Sequence, residues 1–328
     1  MRVLVTGGAG YIGSQVVRQL LGRTHEVVVL DNLEEGNKAS IAEGATLVVG
    51  DVRDESLVDR VFANHHFDAV MHFAGVISMG ESMENPHKYF AINTFGALVL
   101  FERMVTNHVL RVIFSSTAGV YGNPERVPIR EEDRKEPTNP YGQSKLMVEQ
   151  MLRWFDRSHG LRSISLRYFN AAGATLDGTC GEAHRAETHI IPLAMRAAAS
   201  NKEFTLFGED YRTKDGTCVR DYVHVEDLGI AHILALQALM EGYETDAFNV
   251  GPGSGYSNRE VIEMVRKVTG IDLQVRIGRR RPGDADELVA DAGRIKERLG
   301  WKPGYSDLRT IVESAWLWHS THPEGYGA

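Results

Sequence analysis

Five short apolar runs, each separated from the next by a stretch of different periodicity, constrain the fold of this chain more than any other feature. "RVLVTG", "HEVVVLDN", "TLVVGDVRD", "FDAVMHFAG" and "LRVIFSST" are rich in β-branched residues and end on Gly, Asp or hydroxyl side chains. Segments such as "SQVVRQLLGR" and "PHKYFAINTFGALVLFERMVTN" lie between them, with apolar residues at helical spacing. Strands that are apolar throughout and alternate with helices build a parallel sheet covered on both faces. The pattern therefore predicts an α/β chain with a doubly wound parallel sheet.

Past residue 170 the pattern loosens. "NAAGATLDGTCGEAHRAETH" is long, polar and Gly-rich, as functional loops are. "VHVEDLGIAHILALQALM" then reads as a helix and "DAFNVG" as a buried strand, so the chain returns to the sheet. "NREVIEMVRKVTG" and "DAGRIKERLG" are amphipathic helices. Two lobes follow: 1–170 with a returning segment at about 219–250, and a smaller C-terminal lobe within 171–328.

At 328 residues the chain is long enough for both lobes, and 43% hydrophobic residues suffice for their cores. A net charge of −8 argues against nucleic acid or an anionic membrane as the main partner. No apolar run approaches the ~20 residues of a membrane span. The opening "MRVLVTGGAG" reads as a buried strand, not a targeting segment, because glycines interrupt its apolar core at once. Two cysteines, Cys180 and Cys218, make neither a disulfide framework nor a four-thiolate metal site; no metal is assigned, and a reducing, cytoplasmic location is expected.

"VTGGAGYIGS" sets Gly7, Gly10 and Gly13 three apart between the first strand and the first helix. Glycines let backbone N–H groups approach a pyrophosphate, and a helix N-terminus favours its charge. Asp31 follows at the end of the second strand, where a carboxylate accepts hydrogen bonds from ribose hydroxyls and repels a 2′-phosphate. A Rossmann-type lobe that prefers NAD to NADP is the reading. Asp51 in "GDVRD" is a candidate for the adenine edge or a plain turn residue, and His72 in "HFAG" reads as packed. Ser115, Ser116 and Thr117 close the fifth strand, either as ligands or as turn caps. In "NPYGQSK", Tyr141 precedes Lys145 by four residues, so a helix there sets the phenol and the ammonium side by side.

"TGGAGYIG", "FSST…YG" and "PYGQSK" together resemble the extended short-chain dehydrogenase/reductase family. "LDN", "FAG…GES", "RYFN", "VRDYVHV" and "RRPGD", in that order, are similar to its UDP-glucose 4-epimerase branch along essentially the whole chain. The resemblance implies a tightly bound, recycled NAD and a UDP-sugar substrate whose C4 is oxidised and re-reduced. It implies Tyr141 as the acid/base, Lys145 as the group that holds the nicotinamide ribose and lowers the phenol pKa, and Thr117 as a hydrogen-bond partner of the reacting oxygen. Around the cofactor it places Gly7, Gly10, Tyr11, Ile12, Gly13, Asp31, Asn32, Asp51, Val52, Phe73, Ala74, Gly75, Asn93, Ser115 and Phe169, besides Tyr141 and Lys145. Around the UDP-sugar it places Asn170, His189, Ile190, Thr205, Phe207, Arg220, Tyr222, Arg281, Asp284 and Leu288, besides Thr117 and Tyr141. It also implies a homodimer formed through helices that include 89–105 and 141–157.

Chemistry separates the relatives. Sugar-nucleotide dehydratases carry an Asp-Glu pair after the catalytic hydroxyl residue; here Ala118 and Gly119 stand there and neither transfers a proton. A sugar-nucleotide dehydrogenase of the same fold would release its reduced cofactor. Leu288 stands where some relatives have a tyrosine that blocks an N-acetyl group, so N-acetylated and pentose UDP-sugars stay open as substrates.

Overall fold

The computed structural model describes residues 1–281 and 284–327. Pro282 and Gly283, the middle of "RRPGD", lie outside the described residues.

Seven parallel strands form the central sheet. They are β1 (Arg2–Thr6), β2 (Glu26–Asp31), β3 (Thr46–Val49), β4 (Ala69–His72), β5 (Arg111–Thr117), β6 (Arg162–Tyr168) and the edge strand Asp246–Val250. From that edge the order is Asp246–Val250, β6, β5, β4, β1, β2, β3. The direction of winding reverses between β1 and β4, and in such sheets ligands bind at the carboxyl tips beside that reversal. The two faces of the sheet share the apolar residues by the period of two. Val3 and Val5 of β1 face the helices Tyr11–Leu21 and Val225–Met240, whereas Leu4 faces the helices Glu55–Asn64, Gly96–Thr106 and Pro140–His159.

β6 is the strand the apolar pattern does not mark. Its sequence "RSISLRY" alternates polar and apolar residues, as a half-solvated strand does, yet Ser163, Ser165 and Arg167 are buried. Arg167 on that face is satisfied by the network described below, whereas the Ser163 hydroxyl has no hydrogen-bond partner.

A second hydrophobic core joins the helices Ile190–Ala199, Asn258–Thr269 and Leu308–Thr321 to the strand pair Phe204–Phe207 and Val275–Gly278. The chain also re-enters the sheet lobe beyond the returning segment, because Ala292, Ile295, Leu299 and Trp301 pack into the first core. Among the described residues no helix is long and apolar enough to cross a membrane.

Candidate active site

The glycine turn is tight for reasons the coordinates make explicit. Gly7 has φ +72, and a Cβ there would stand 2.5 Å from the backbone nitrogen of Ala74. A Cβ on Gly13 would stand 2.2 Å from the Gly7 carbonyl oxygen. The turn therefore lies directly against the tip of β4, and the helix Tyr11–Leu21 opens at Gly10 with no side-chain cap. That is the cradle a pyrophosphate requires. The Asp31 carboxylate is fixed beside it, accepting from the Ala9 N–H and the Leu33 N–H at 2.9 Å each. The residues fit NAD, and Asp31 still excludes a 2′-phosphate.

Asp51 is less free than its sequence position suggests. Arg53 grips it with two hydrogen bonds, 2.8 and 2.6 Å, and Asn32 donates to it at 3.3 Å. The Arg53 bond holds its pKa below the usual carboxylate value against the opposing effect of burial. Val52, next to it, is buried in the core against helix Gly96–Thr106. His72 is a packed residue: its Nδ1 bonds Thr6 Oγ1 at 2.7 Å, and burial, then the Lys145 charge, bring its pKa down to about 3.

Asn93 sits in a π-helical turn, Phe90–Phe95, within the long helical stretch. Its amide is spent inside the protein. Oδ1 accepts from the Val76 N–H at 2.9 Å, and Nδ2 donates to the Val76 carbonyl at 3.0 Å and to Ser144 Oγ at 2.9 Å. Asn93 thus ties the Gly75–Val76 turn to the helix that carries Tyr141 and Lys145.

That helix, Pro140–His159, starts as its sequence dictates. Asn139 caps it by accepting from the Gly142 N–H at 2.9 Å, Pro140 fills the first turn, and Gly160 ends it at φ +71. Tyr141 and Lys145 lie on its buried face, 7% and 3% exposed. The four-residue spacing predicted adjacent groups on one helix face, and the resemblance implied that the lysine lowers the phenol pKa. Lys145 Nζ donates to the Ser115 carbonyl at 3.0 Å and lies over the Phe114 ring, so its charge is anchored at the tip of β5. Burial raises the Tyr141 pKa, and a hydrogen bond with Thr117 is what opposes it. Thr117 also caps the turn Ala118–Tyr121 by accepting from the Gly119 N–H at 3.0 Å. The turn-cap reading of that hydroxyl is thus seen directly.

Burial brings the Lys145 pKa down to about 8. The cost of carrying its charge is fully present below that pH and is lifted as pH rises from there toward the unfolded value near 10.5. Lys145→Met is therefore expected to raise stability at pH 7 by ~1–3 kcal/mol, a gain that shrinks above pH 8. Urea denaturation at pH 7 and pH 9.5 reads it, and a destabilised Lys145→Met protein at pH 7 would refute it.

One buried network was not read from the sequence. Glu149, two turns beyond Tyr141 on the same helix face, accepts from Arg167 through both oxygens at 2.9 and 2.6 Å, and from Ser116 Oγ at 2.6 Å. Arg167 also donates to Tyr121 and to the Glu131 carbonyl, and Tyr121 donates to Asn249. Burial disfavours the Arg167 charge, but Glu149 overcomes it and holds the guanidinium pKa above its ordinary value. The spacing 141, 145, 149 is the signal that would have found it. Ser115 hydrogen-bonds Tyr168 across the neighbouring strand tips.

The expected substrate residues fall into three groups. Asn170 and Tyr222 are register partners in the strand pair Asn170–Ala172 and Tyr222–His224. Arg220 and Leu288 are register partners as well, and Leu288 packs with Phe169 and Ala118 beside the Ala118–Tyr121 turn. Arg220 spends part of its guanidinium on the carbonyls of Val219 and Ala285. On the second lobe, Phe207 is 40% exposed with the Arg281 guanidinium 5.3 Å from its ring centre. Arg281 and Tyr211 both donate to Asp284, at 3.1 and 3.3 Å, and Thr205 accepts from Arg276. An exposed aromatic face beside an arginine and a carboxylate suits a base, a phosphate and a ribose. His189 caps the helix Ile190–Ala199 by position, but its Nδ1 faces Glu182 and Glu187.

A reversal-point cleft with a glycine cradle, a fixed ribose acid and a Thr–Tyr–Lys set defines a dinucleotide-dependent enzyme acting on a second, polar ligand. Comparison with known proteins narrows this. Residues 3–251 match the family described as NAD dependent epimerase/dehydratase, and the chain belongs to that family. A UDP-glucose 4-epimerase of Lacticaseibacillus casei is 48% identical over 100% of this chain and 99% of its own. A crystal structure of a UDP-glucose 4-epimerase superposes with a TM-score of 0.98 at 46% identity, covering 100% of both chains. Another, from Bifidobacterium longum in complex with NAD+ and UDP, has a TM-score of 0.94 at 38% identity and covers 99% of this chain and 100% of its own.

Proposed function

We propose that this chain interconverts UDP-galactose and UDP-glucose by inverting C4 of the hexose. The observation that carries the reading is the convergence of Thr117, Tyr141 and Lys145 on the tip of β5, with only Ala118 and Gly119 beside them. One phenol is then the proton carrier, and the two positions after Thr117 carry no acid for elimination of water. Tyr141 takes the proton of the sugar 4-hydroxyl and returns it, while Thr117 orients the reacting oxygen. Lys145 holds the nicotinamide ribose from the Ser115 carbonyl. Bound NAD supplies the acceptor and donor for the C4 hydride, through a 4-keto sugar, and a positive ring that favours the phenolate. Phe207, Arg281 and Asp284 bind the nucleotide end, with Asn170, Arg220 and Tyr222 nearer the diphosphate. Such an arrangement grips the nucleotide and leaves the sugar free to present either face.

Purified protein given UDP-galactose and no added cofactor is expected to form UDP-glucose. Stoichiometric reduced cofactor without UDP-glucose, from NAD-loaded protein, would favour the dehydrogenase instead. Leu288 favours a second activity. It is half-buried beside Phe169 and smaller than the tyrosine of some relatives, so UDP-N-acetylglucosamine is expected to turn over too. Leu288→Tyr should lower that turnover by more than ~10-fold while sparing UDP-galactose. Equal effects on both sugars would remove the reading.

We further assign a homodimer, supported by Phe95 and Trp154 standing 47% and 64% exposed on helical stretches of the expected face. The two free thiols support a reducing, cytoplasmic setting.

A further inference from the structure

We infer that Glu182, His184, Glu187 and His189 form a site for a four-coordinate divalent transition metal of the zinc class. The metal fastens the 173–189 segment between the glycine turn and the second lobe.

One ligand atom from each residue lies within 4.8 Å of all the others. His184 Nδ1 is 3.2 Å from Glu182 Oε1 and 3.3 Å from Glu187 Oε2. His189 Nδ1 is 2.8 Å from Glu182 Oε1 and 3.1 Å from Glu187 Oε1. A tetrahedron with metal–ligand bonds of ~2.0 Å has edges of about 3.3 Å. The two edges from Glu182 Oε1 and one from either Glu187 oxygen are close to that, the two rings meeting different oxygens of Glu187. Both imidazoles turn the same nitrogen inward.

A second observation is independent of this spacing. Glu182 is 4% exposed, and its Oε1 has no donor in hydrogen-bond geometry, although two ring nitrogens stand within 3.2 Å. A buried carboxylate oxygen without a donor is costly, and this one is aimed at the point the other three ligands share. Both carboxylate side chains are nearly inaccessible, 5% and 1% exposed, and among the described residues no Lys or Arg pairs with either. Without a metal the carboxylates hold protons on both rings; a divalent cation with two neutral imidazoles balances them in place of those protons.

The donor set selects the metal. Two imidazoles and two carboxylates suit zinc, whereas magnesium and calcium prefer all-oxygen shells and copper(I) prefers sulfur. Cys180 is engaged elsewhere, with Ser14 at 3.2 Å and Tyr326 at 2.9 Å. Four protein ligands make a closed site, so the metal's role is mechanical rather than chemical.

Besides the Cys180–Ser14 contact, the strap it would hold reaches the cofactor lobe at three places. Tyr11 donates to the Gly173 carbonyl at 2.7 Å, Asn37 to the Ala183 carbonyl at 3.4 Å, and Arg185 to the Leu33 carbonyl at 3.3 Å. His184 meets the edge of the Tyr11 ring. At its other end, His189 leads into the helix Ile190–Ala199 of the second core.

The test uses the full-length protein with its bound cofactor. Elemental analysis after exhaustive dialysis is expected to find about one zinc per chain. After chelation, cobalt(II) should saturate at about one equivalent and give the intense visible absorption of four-coordinate cobalt. Glu182→Gln with His184→Gln should weaken cobalt binding by more than ~10-fold at unchanged far-ultraviolet circular dichroism. If that variant does not fold, the wild-type cobalt titration decides alone. Absence of stoichiometric metal together with no cobalt band overturns the inference and leaves an ion cluster only. Unaltered cobalt affinity in the folded variant overturns it equally, by placing the metal elsewhere.

Discussion

Replacement of Tyr141 by Phe is expected to lower turnover of UDP-galactose by ~10²–10⁴-fold while leaving UDP affinity within about twofold. The ring of Tyr141 is buried against Tyr89, edge to face at 6.4 Å, and Phe keeps that packing. Only the hydroxyl is lost, and with it the proton carrier of the proposed reaction. Among the described residues the nearby candidates are engaged elsewhere, the Tyr168 phenol with Ser115 included. Lys145 is tied to the Ser115 carbonyl, and Thr117 is engaged by the Gly119 N–H. His72, though close to Lys145, is sealed in the core with its pKa far below neutrality. Initial rates for UDP-glucose formation and a calorimetric UDP titration check the pair of outcomes. A loss under tenfold, or a matching loss of UDP affinity, would remove Tyr141 from the proton-carrier role.

The second large effect concerns stability. Glu149→Ala leaves Arg167 charged and stranded, and it strips Ser116 of its partner. The side chains of the pair are 1% and 2% exposed, so solvent screens little of this. Breaking such a pair from one side costs about 3–5 kcal/mol, whereas replacing both partners with apolar residues is often nearly neutral. Urea midpoints should therefore fall steeply for Glu149→Ala and recover in large part for Glu149→Met combined with Arg167→Met. Tyr121 and the Glu131 carbonyl lose a donor in the double variant, so recovery stops short of wild type. A cost under ~1 kcal/mol for Glu149→Ala would mean that the network is dispensable.

The sheet was legible where burial alone dictates composition. β1, β2, β4 and β5 are largely apolar because helices cover both faces, β3 being a partly exposed edge strand, and the glycine, aspartate and hydroxyl endings mark the ligand side. β6 was not marked, because it alternates polar residues that are nonetheless buried, and Arg167 among them is satisfied by partners far away in sequence. Arg167 meets a glutamate 18 residues back and a carbonyl 36 residues back, a pairing no local period reveals. The Tyr–Lys face was legible from helical spacing, but where Nζ points was not, since that depends on the Ser115 carbonyl of a neighbouring strand. Asn93 shows the same limit. Its place in a helical stretch was readable, whereas the π-turn that aims it at Val76 and Ser144 was not. The nucleotide groups on the second lobe were named through family resemblance, and their shared setting depends on short strands of two to four residues.

The edge strand Asp246–Val250 has a consequence for taking this molecule apart. It pairs with β6 along five residues, and the helix Val225–Met240 lies against the same side of the sheet. A fragment cut at residue 170 would keep the glycine cradle and the Tyr–Lys helix. It would also bare the backbone of β6 and an apolar flank that the later chain normally covers. The cofactor half is thus not an autonomous module awaiting an attachment. Its completion is deferred until most of the polypeptide is available, and the two halves of the active cleft are committed to forming together.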